Sequence, residues 1–307
     1  MRFAPNEDQA AFLSVLEQMM EAPEAGWRTL PDWPRFDWSG AFDRMLQDNG
    51  FYECALEETL GFSAAAAMTY RLATLPVLVE CAASALLRPK WAHDLPRPLA
   101  VIDGDAGAPV PFLPVARSVI RIGDDGIFVA QIDPGSVDTV DSLYAYPMGR
   151  LNPGITLDWK AVAGDPQEAR TMWRSALAAE LAGVLKGGLD AVVAHVTQRQ
   201  QFGRPLGSFQ AVQHRLAETA GKIEGAYWMA LRAAHTQSAA DAALALGYVQ
   251  EASTKAIQDM HQFMGAMGLT LEHPLHRWTY RARFLRASMG GSTANMRSYF
   301  NNRWAAA

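Results

Sequence analysis

The sequence contains little of what marks secreted, metal-binding or membrane proteins. It has two cysteines, Cys54 and Cys81, too few for a disulfide framework and without metal-ligand spacing. Such sparse cysteine usage suits a reducing compartment, so we expect a cytoplasmic protein. The most apolar stretch, Leu72 to Leu87, is too short to span a bilayer and is interrupted by Pro76.

An excess of basic charge is also missing. The net charge is −5, which gives no sign of a nucleic-acid partner. Residues 1–12 lack a basic start followed by an apolar run, so we expect no signal peptide. We therefore expect neither a nucleic-acid nor a membrane partner. The 307 residues are enough for two or three packed units with a substantial core.

The first part of the chain has mainly helical patterns. Apolar residues at helical spacing predict a helix from Asn6 to Glu21. A loop rich in Trp and Pro is predicted from Trp27 to Trp38. Residues 1–96 are therefore predicted to be an N-terminal helical domain. Its other helices are predicted over Ser39–Asn49, Tyr52–Gly61 and Ser63–Leu87.

A shift in composition at Pro96 and Pro98 introduces a β pattern. The residues Gly123 to Gly126 predict a hairpin between two strands. Residues 97–164 are therefore predicted to form a small, reduced β domain. The strands are predicted over Leu99–Asp103, Ser118–Ile122, Ile127–Ile132 and Ile155–Trp159.

The rest of the chain, residues 165–307, is predicted to be an antiparallel helical bundle. Asp165 is expected to cap the first bundle helix, and Gly203 is expected to end it near Phe202. Ser208 is expected to cap the second. Later helices are predicted over Ala239–Met264, Leu275–Ala287 and Ser292–Trp304.

One string lies between the first two bundle helices and reads QRQQFGRPLGSFQAVQ over residues 198–213. Its Arg199 can bind phosphate in a bidentate manner, which suits a dinucleotide pyrophosphate. Phe202 follows about one turn later, so both side chains are expected on one helix face. Gln210 can form hydrogen bonds with ribose or adenine edges. Alone, an arginine at a helix end is usually a surface residue that complements the helix dipole.

A second string, QFMGAMGLTLEHPL, runs from Gln262 to Leu275. Gly265 lacks a Cβ and so permits close approach of another group to the backbone. Gly268 fits the end of a helix whatever the function of the string.

Together the two strings resemble the R-x-x-F-G…F-Q and Q-x-x-G-G-x-G-x-x-x-E-x-P signatures of the acyl-CoA dehydrogenase superfamily. The order of helical unit, β unit and bundle also resembles that family's three-part, mainly α architecture. In the family these strings contact FAD held by a neighbouring subunit, so the resemblance implies FAD as cofactor. Ala266 replaces the second glycine of the family pattern. The implied FAD contacts are Arg199, Gln201, Phe202, Phe209, Gln210, Gln262, Gly265, Ala266 and Ser292, with Thr293 beside Ser292.

The family's catalytic base is missing at both of its known positions. These enzymes remove the α-proton of an acyl-CoA thioester with a glutamate while a hydride passes to the flavin. By resemblance, the two base positions are occupied here by Gly290 and Trp173. Glu180 is expected to be an interior polar residue rather than a relocated base. The family's T-E-P…G-S-D and W-I-T/S stretches are absent from residues 97–164.

The resemblance therefore implies the smaller, non-catalytic subunit of a heteromeric (α2β2) acyl-CoA dehydrogenase of the steroid side-chain-degrading type. A catalytic partner subunit would hold most of the acyl-CoA and supply the glutamate, and an electron-transfer flavoprotein would accept electrons. Two alternatives stay open: a self-sufficient homomeric dehydrogenase with Glu180 as base, and a flavin-free structural subunit. His273 and His276 lack a third ligand nearby, so no metal site is predicted.

Overall fold

The computed structural model describes residues 4–22, 34–104 and 107–304, and the predicted loop from Trp27 to Trp38 lies mostly outside them. The predicted first helix is confirmed. Asn6 caps it by accepting a hydrogen bond from the Gln9 backbone, and the Gln9 side chain accepts one from the Asn6 backbone. The N-terminal helices are α1 (Glu7–Glu21), α2 (Gly40–Asp48), α3 (Gly61–Ala73), α4 (Ala82–Leu86) and α5 (Arg88–Trp91), with a 3-10 helix over Phe51–Leu56.

The single helix predicted from Ser63 to Leu87 is wrong, because a break separates α3 from α4. Pro76 lies in this break and has no N–H to donate to a continuing helix. Arginine side chains bind the carbonyls that the break leaves free. Arg277 donates to the Pro76 carbonyl at 2.8 Å, and Arg281 donates to that of Leu75 at 2.6 Å.

The β unit consists of two small sheets. In one, the strand order is 99–103, 118–123, 126–131 and 160–162, and in the other it is 110–111, 148–151 and 137–140. The predicted hairpin is confirmed, with Gly123 opposite Gly126 at its turn. The strand predicted over Ile155–Trp159 is wrong, because the last strand begins at Lys160. The strands are β1 (Leu99–Asp103), β2 (Val110–Pro111), β3 (Ser118–Gly123), β4 (Gly126–Gln131), β5 (Val137–Val140), β6 (Met148–Leu151) and β7 (Lys160–Val162).

The C-terminal part is a bundle of long helices, which confirms the mainly α fold class. Asp165 caps the first of them as predicted and accepts a hydrogen bond from the Gln167 backbone at 2.9 Å. Among the described residues, no helix has the length and apolar character needed to cross a membrane. The elements are α6 (Pro166–Gln198), β8 (Gln200–Gln201), β9 (Arg204–Pro205), α7 (Gln210–Thr236), α8 (Ala239–Met264), α9 (Leu275–Ala287) and α10 (Gly291–Trp304).

The helix α6 lies at the centre of the core and packs against α3, α4, α7, α8 and α9. Buried side chains from all three predicted domains, such as Leu16, Ile120 and Leu246, belong to one continuous apolar cluster. The predicted boundaries after residues 96 and 164 therefore divide the secondary structure but not the core, and they remain predictions.

Two glycines of α6 allow its close approach to α3. A Cβ at Gly183 would lie 2.1 Å from the Tyr70 carbonyl oxygen, and one at Gly187 would lie 2.4 Å from that of Thr74. Both neighbours are backbone atoms at the end of a helix, so they cannot move aside as a flexible side chain would. Any side chain at these positions would push the two helices apart.

We expect Gly183→Ala to lower the free energy of unfolding of the full chain by about 1–3 kcal/mol, because the new methyl overpacks the contact between α6 and α3. Gly221→Ala is the matched control, since Gly221 lies in α7 with no atom within 4 Å of an added Cβ. The control should raise stability by up to about 1 kcal/mol. Denaturant unfolding measures the free energy of unfolding of both variants. Equal changes in the two variants would contradict the proposed contact.

Candidate functional site

The string between α6 and α7 forms a short β-hairpin rather than an extension of the helix. Gln201 pairs with Arg204, and the two residues between them form the turn. Phe202 and Gly203 have φ values of 55° and 78°, as in the type I′ turns of two-residue hairpins. The helix end predicted near Phe202 is therefore wrong, because α6 ends at Gln198.

Two further local predictions are wrong for the same reason. Arg199 does not share a helix face with Phe202, because its own backbone is already extended beyond the end of α6. Ser208 does not cap α7; its Oγ donates to the Pro205 carbonyl at 2.7 Å. The residue before α7 is Phe209, whose side chain cannot cap a helix.

The hairpin carries an exposed aromatic and cationic cluster. The rings of Phe202 and Phe209 are 6.1 Å apart and perpendicular, and the Arg204 guanidinium lies 4.0 Å from the centre of the Phe209 ring. Phe202 is 87% exposed although it is a large apolar residue. Its left-handed backbone costs about 1–2 kcal/mol for a residue with a Cβ. An exposed ring on a strained turn is typical of a binding surface.

The same end of the bundle suits an anionic ligand. The Arg199 side chain is exposed and forms no hydrogen bond or ion pair within the described part of the chain. The helix α7 starts at Gln210 with no capping side chain and no acidic residue in its first turn. Free N–H groups at a helix start and a guanidinium both favour phosphate oxygens. These groups therefore fit the pyrophosphate of a dinucleotide such as FAD.

The second string lies at this same end. Arg215 of α7 forms an ion pair with Asp259 of α8 and stacks 4.7 Å from the centre of the Phe263 ring, so the end of α8 lies beside the start of α7. Gln262 is exposed there. Gly265 ends the helix with φ 63° and ψ −144°, a conformation that is nearly restricted to glycine. A Cβ on Gly265 would have no neighbour within 4 Å, so its outer side is open. Ala266 follows it and is also exposed.

Ser292 is not part of this group. Its Oγ donates to the Glu251 carboxylate at 3.4 Å, and Glu251 is eleven residues before Gln262 on α8. That spacing corresponds to about 16 Å along a helix. The structure thus brings eight of the nine predicted FAD contacts to one end of the bundle and places Ser292, with Thr293, elsewhere.

Trp173, at one predicted base position, lines a cavity that the neighbour of the other, Gly290, also lines. The cavity has a volume of about 190 Å³ between the β unit, α4, α6 and α9, and Trp173 forms part of its wall. Met289 also lines it, and Gly290 is the next residue. Glu180 lines the same cavity and is 9% exposed. Tyr146 donates a hydrogen bond to Glu180 Oε1 at 2.7 Å. Sequence reasoning missed Tyr146, because no motif links it to a residue 34 positions away.

Burial disfavours ionisation of the Glu180 carboxyl. Loss of hydration raises the pKa of Glu180, and the hydrogen bond from Tyr146 and the charge of Arg281 only partly oppose that rise. The charge of Glu80 adds to it. Burial also lowers the pKa of Arg281, which donates to backbone carbonyls rather than to this carboxyl.

His273 and His276 take structural roles. The Leu275 backbone donates to His273 Nδ1 at 3.1 Å, and the His276 ring contacts the carbonyls of His273 and Pro34. Within the ranges that the structure describes, no three His, Cys, Asp or Glu residues are grouped as metal ligands.

We expect Glu180→Gln to be more stable than the wild type at pH 7 and similar to it at pH 4. The pKa of Glu180 is higher in the folded than in the unfolded chain, so the folded state binds the proton more tightly. Stability is then lost as the pH rises from the pKa of Glu180 in the unfolded chain, about 4.3, to its higher pKa in the folded chain. The amide of the substituted glutamine cannot ionise, and its oxygen can still accept from Tyr146.

Thermal unfolding from pH 4 to pH 8 measures this difference, with the exposed Glu58→Gln as a control for removing one negative charge. A Glu180→Gln chain less stable than the wild type at pH 7 would instead show an ionised Glu180 stabilised by Arg281.

Comparison with known proteins places the bundle in a family. Residues 166–303 match the family "Acyl-CoA dehydrogenase, C-terminal domain". The acyl-CoA dehydrogenase FadE34 of Mycobacterium tuberculosis is 39% identical over 123 residues, which cover 38% of this chain and 17% of FadE34. The acyl-CoA dehydrogenase IpdE2 of Mycolicibacterium smegmatis is 32% identical over 164 residues, which cover 53% of this chain and 51% of IpdE2. The chain thus spans about half the length, or less, of these relatives.

The fold agrees over nearly the whole chain. The solved ChsE4-ChsE5 complex from Mycobacterium tuberculosis contains a chain that superposes with a TM-score of 0.76 at 22% identity, with 97% of both chains covered. The family match supports FAD as the cofactor. Residues 166–303 are therefore an acyl-CoA dehydrogenase C-terminal domain, and the whole chain has the fold of the acyl-CoA dehydrogenases.

Proposed function

We propose that this chain is the companion subunit of a heteromeric, FAD-dependent acyl-CoA dehydrogenase. In this assembly it contributes the adenosine and pyrophosphate side of an FAD site, and a partner subunit carries the catalytic glutamate. The reaction is the α,β-dehydrogenation of an acyl-CoA thioester, with steroid side-chain CoA esters as the substrate class that the resemblance implies. The similarity to a chain of the ChsE4-ChsE5 complex, an assembly of two different chains, supports a heteromer.

One observation carries the proposal: the end of the bundle that holds the FAD motifs is apolar and uncovered. Phe202, Leu269 and Leu271 are 87%, 79% and 59% exposed. The loop that carries the two leucines lies beside α6. Burial lowers the pKa of His273 in this loop, and the nearby charge of His195, close to the end of α6, lowers it further. Large apolar side chains exposed together on a protein surface indicate an interface.

The residues at this end have separate tasks in binding the cofactor. Arg199 and the first N–H groups of α7 hold the pyrophosphate. Gln210 and Gln262 form hydrogen bonds with polar edges of the adenosine. Gly265 leaves room for close approach, and the Phe202 and Phe209 rings give apolar contact. FAD supplies the hydride acceptor when bound, so this chain's contribution is to bind and orient the cofactor.

The chemistry itself is assigned to the partner. Neither Trp173 nor Gly290 has a carboxylate that can take the α-proton of an acyl-CoA. The partner therefore supplies the glutamate and holds most of the acyl-CoA, and an electron-transfer flavoprotein accepts the electrons. We place the assembly in the cytoplasm, in an α2β2 arrangement.

A second candidate is a self-sufficient dehydrogenase, favoured by the carboxyl of Glu180 in the cavity. A base must be ionised near neutral pH to accept a proton. Glu180 lies at neither of the two base positions that the family resemblance gives, so we rank this candidate second. Loss of activity in a Glu180→Gln complex would favour this candidate, whereas the companion-subunit proposal expects activity close to wild type.

We expect the full chain purified alone to be colourless, and the chain co-purified with its partner to be yellow with about one FAD per heterodimer. In the complex, Arg199→Ala should weaken FAD binding about 10- to 100-fold, because a charge-assisted bidentate contact is lost. Flavin absorbance of the purified complex and FAD titration of its apo form measure this loss.

Arg117→Ala removes an exposed arginine of the β unit and is the matched control for charge; it should keep FAD affinity. The FAD affinity of Arg199→Lys should lie between those of wild type and Arg199→Ala, because lysine keeps the charge but loses the bidentate geometry. Stoichiometric FAD and dehydrogenase activity in the lone chain would contradict the proposal.

We expect Phe202→Gly to separate folding from assembly. Glycine favours the left-handed turn, so the variant chain should be as stable as wild type or about 1 kcal/mol more stable. Without the exposed ring, binding to the partner should weaken at least tenfold, as for an aromatic anchor in an interface. Thermal unfolding of the chain and a titration with the partner measure the two effects. Unchanged partner affinity would show that Phe202 lies outside the interface.

A further inference from the structure

Another pocket, the N-terminal pocket, lies between α1, α3 and α7 and takes no part in the function proposed above. Gln9 of α1, Ala64 of α3 and Leu231 of α7 are among the residues that line it. Its volume of about 420 Å³ lies within the range of ~300–1,000 Å³ that is usual for small-molecule sites. Trp228 in its wall is about 27 Å along α7 from Gln210, at 1.5 Å per residue, so the pocket is far from the proposed FAD contacts.

The helix α1 is held at both ends, so it does not close this space. At its start, Asn6 and Gln9 donate to two carbonyls just before α3, each at 2.8 Å. Near its end, Glu17 forms an ion pair with Arg71 of α3 at 2.7 Å. Between these points the side chains of α3 are too small to fill the gap. The α3 residues that line the pocket are Ser63, Ala64 and Ala67.

Three polar side chains of the pocket retain hydrogen-bond donors. Arg232 donates through Nε to Asp241 at 3.1 Å, and its two terminal nitrogens form no hydrogen bond within the described ranges. Ser63 Oγ and His235 Nδ1 are 3.5 Å apart. Whichever of these two donates, one donor of the pair remains, either the His235 Nε2–H or the Ser63 O–H. Arg232 and His235 are three residues apart on α7, so they lie on one face of the helix.

Acceptors are scarce in the same pocket. None of the described residues that line it is acidic. The amide oxygens of Asn6 and Gln9 already accept hydrogen bonds from each other's backbone N–H. A ligand therefore has to supply the acceptors itself. A carboxylate has two acceptor oxygens and no donor, and it fits the planar guanidinium of Arg232 in a bidentate manner.

The rest of the wall is apolar. The buried side chains of Leu13 and Ala67 line the pocket opposite α7. On α7, Trp228 and Leu231 each lie four residues before one of the two basic side chains, so apolar surface continues along the helix from the donors. A molecule with a carboxylate at one end and a hydrocarbon body matches this order of polar and apolar groups.

We propose that the N-terminal pocket binds a small monocarboxylate with an apolar body. The guanidinium of Arg232 and the remaining donor of the Ser63–His235 pair bind the carboxylate. Trp228, Leu231 and the small residues of α3 enclose the body. The site does not depend on the FAD proposal, because none of the residues that line it is a proposed FAD contact.

The test compares octanoate with octanamide, which have the same chain but differ in the charge of the headgroup. Their affinities for the full chain are measured by calorimetry or ligand-observed NMR at pH 7. The double variant Arg232→Met with His235→Met removes the guanidinium and one member of the donor pair. We expect the ratio of octanoate to octanamide affinity to fall at least about tenfold in this variant. Arg232→Lys should give an intermediate ratio, because lysine keeps the charge but loses the bidentate geometry.

The matched control is the double variant Arg117→Met with His214→Met, which removes the same groups from exposed positions outside the pocket. It should keep the affinity ratio within about twofold of wild type, because exposed charges far from the ligand are screened. Thermal unfolding shows that each variant is folded.

Ser63→Leu fills part of the pocket from a half-buried position and should weaken both probes about tenfold or more, which locates the binding. Unchanged probe affinities in this variant would place the binding elsewhere and overturn the proposal. Absence of octanoate binding to the wild type, an unchanged ratio in the Arg232 and His235 double variant, or tighter binding of octylammonium than of octanoate would each overturn it as well.

Discussion

The carbonyls of Tyr70 and Thr74 lie so close to Gly183 and Gly187 that no side chain fits between α3 and α6. This contact sets the position of a 33-residue helix against which most of the other helices pack. The first half of α6 forms a wall of the cavity, and its C-terminal end leads into the hairpin. A helix is stiff over this length. The close contact at the middle of α6 therefore fixes the positions of both sites.

The two sites offer opposite chemical environments. The cavity is mainly apolar, and its carboxyl groups accept hydrogen bonds from within the chain. The hairpin end is exposed and presents a guanidinium, free backbone N–H groups and uncovered apolar rings. An anionic dinucleotide suits the second environment and not the first, because phosphate needs partners that the cavity walls lack.

Several predictions that depended on local signals were confirmed. Asp165 caps α6, the β3–β4 hairpin turns at Gly123 to Gly126, and the bounds of α8 and α9 agree with their apolar periodicity. Caps, tight turns and long amphipathic helices depend mainly on residues within a few positions of one another. Local predictions failed at the hairpin, where Ser208 donates to Pro205 instead of capping α7, and others failed where distant residues contribute. The break after α3 relies on carbonyl contacts from Arg277 and Arg281, some 200 positions away.

By itself the sequence determined the fold class, the family motifs and the absence of a carboxylate at both base positions, since residue identity and short spacings carry that information. Only the tertiary structure decided that Arg199 and Phe202 lie on a hairpin, that Ser292 is separated from the other predicted FAD contacts, and that Tyr146 meets Glu180. The hairpin is local, since Gln201 pairs with Arg204, but its Phe-Gly turn is not one of the usual Asn-Gly or Asp-Gly hairpin signals. The separation of Ser292 and the burial of the Glu180 carboxyl beside the Tyr146 phenol are set by contacts between segments far apart in the chain. No local pattern records those contacts.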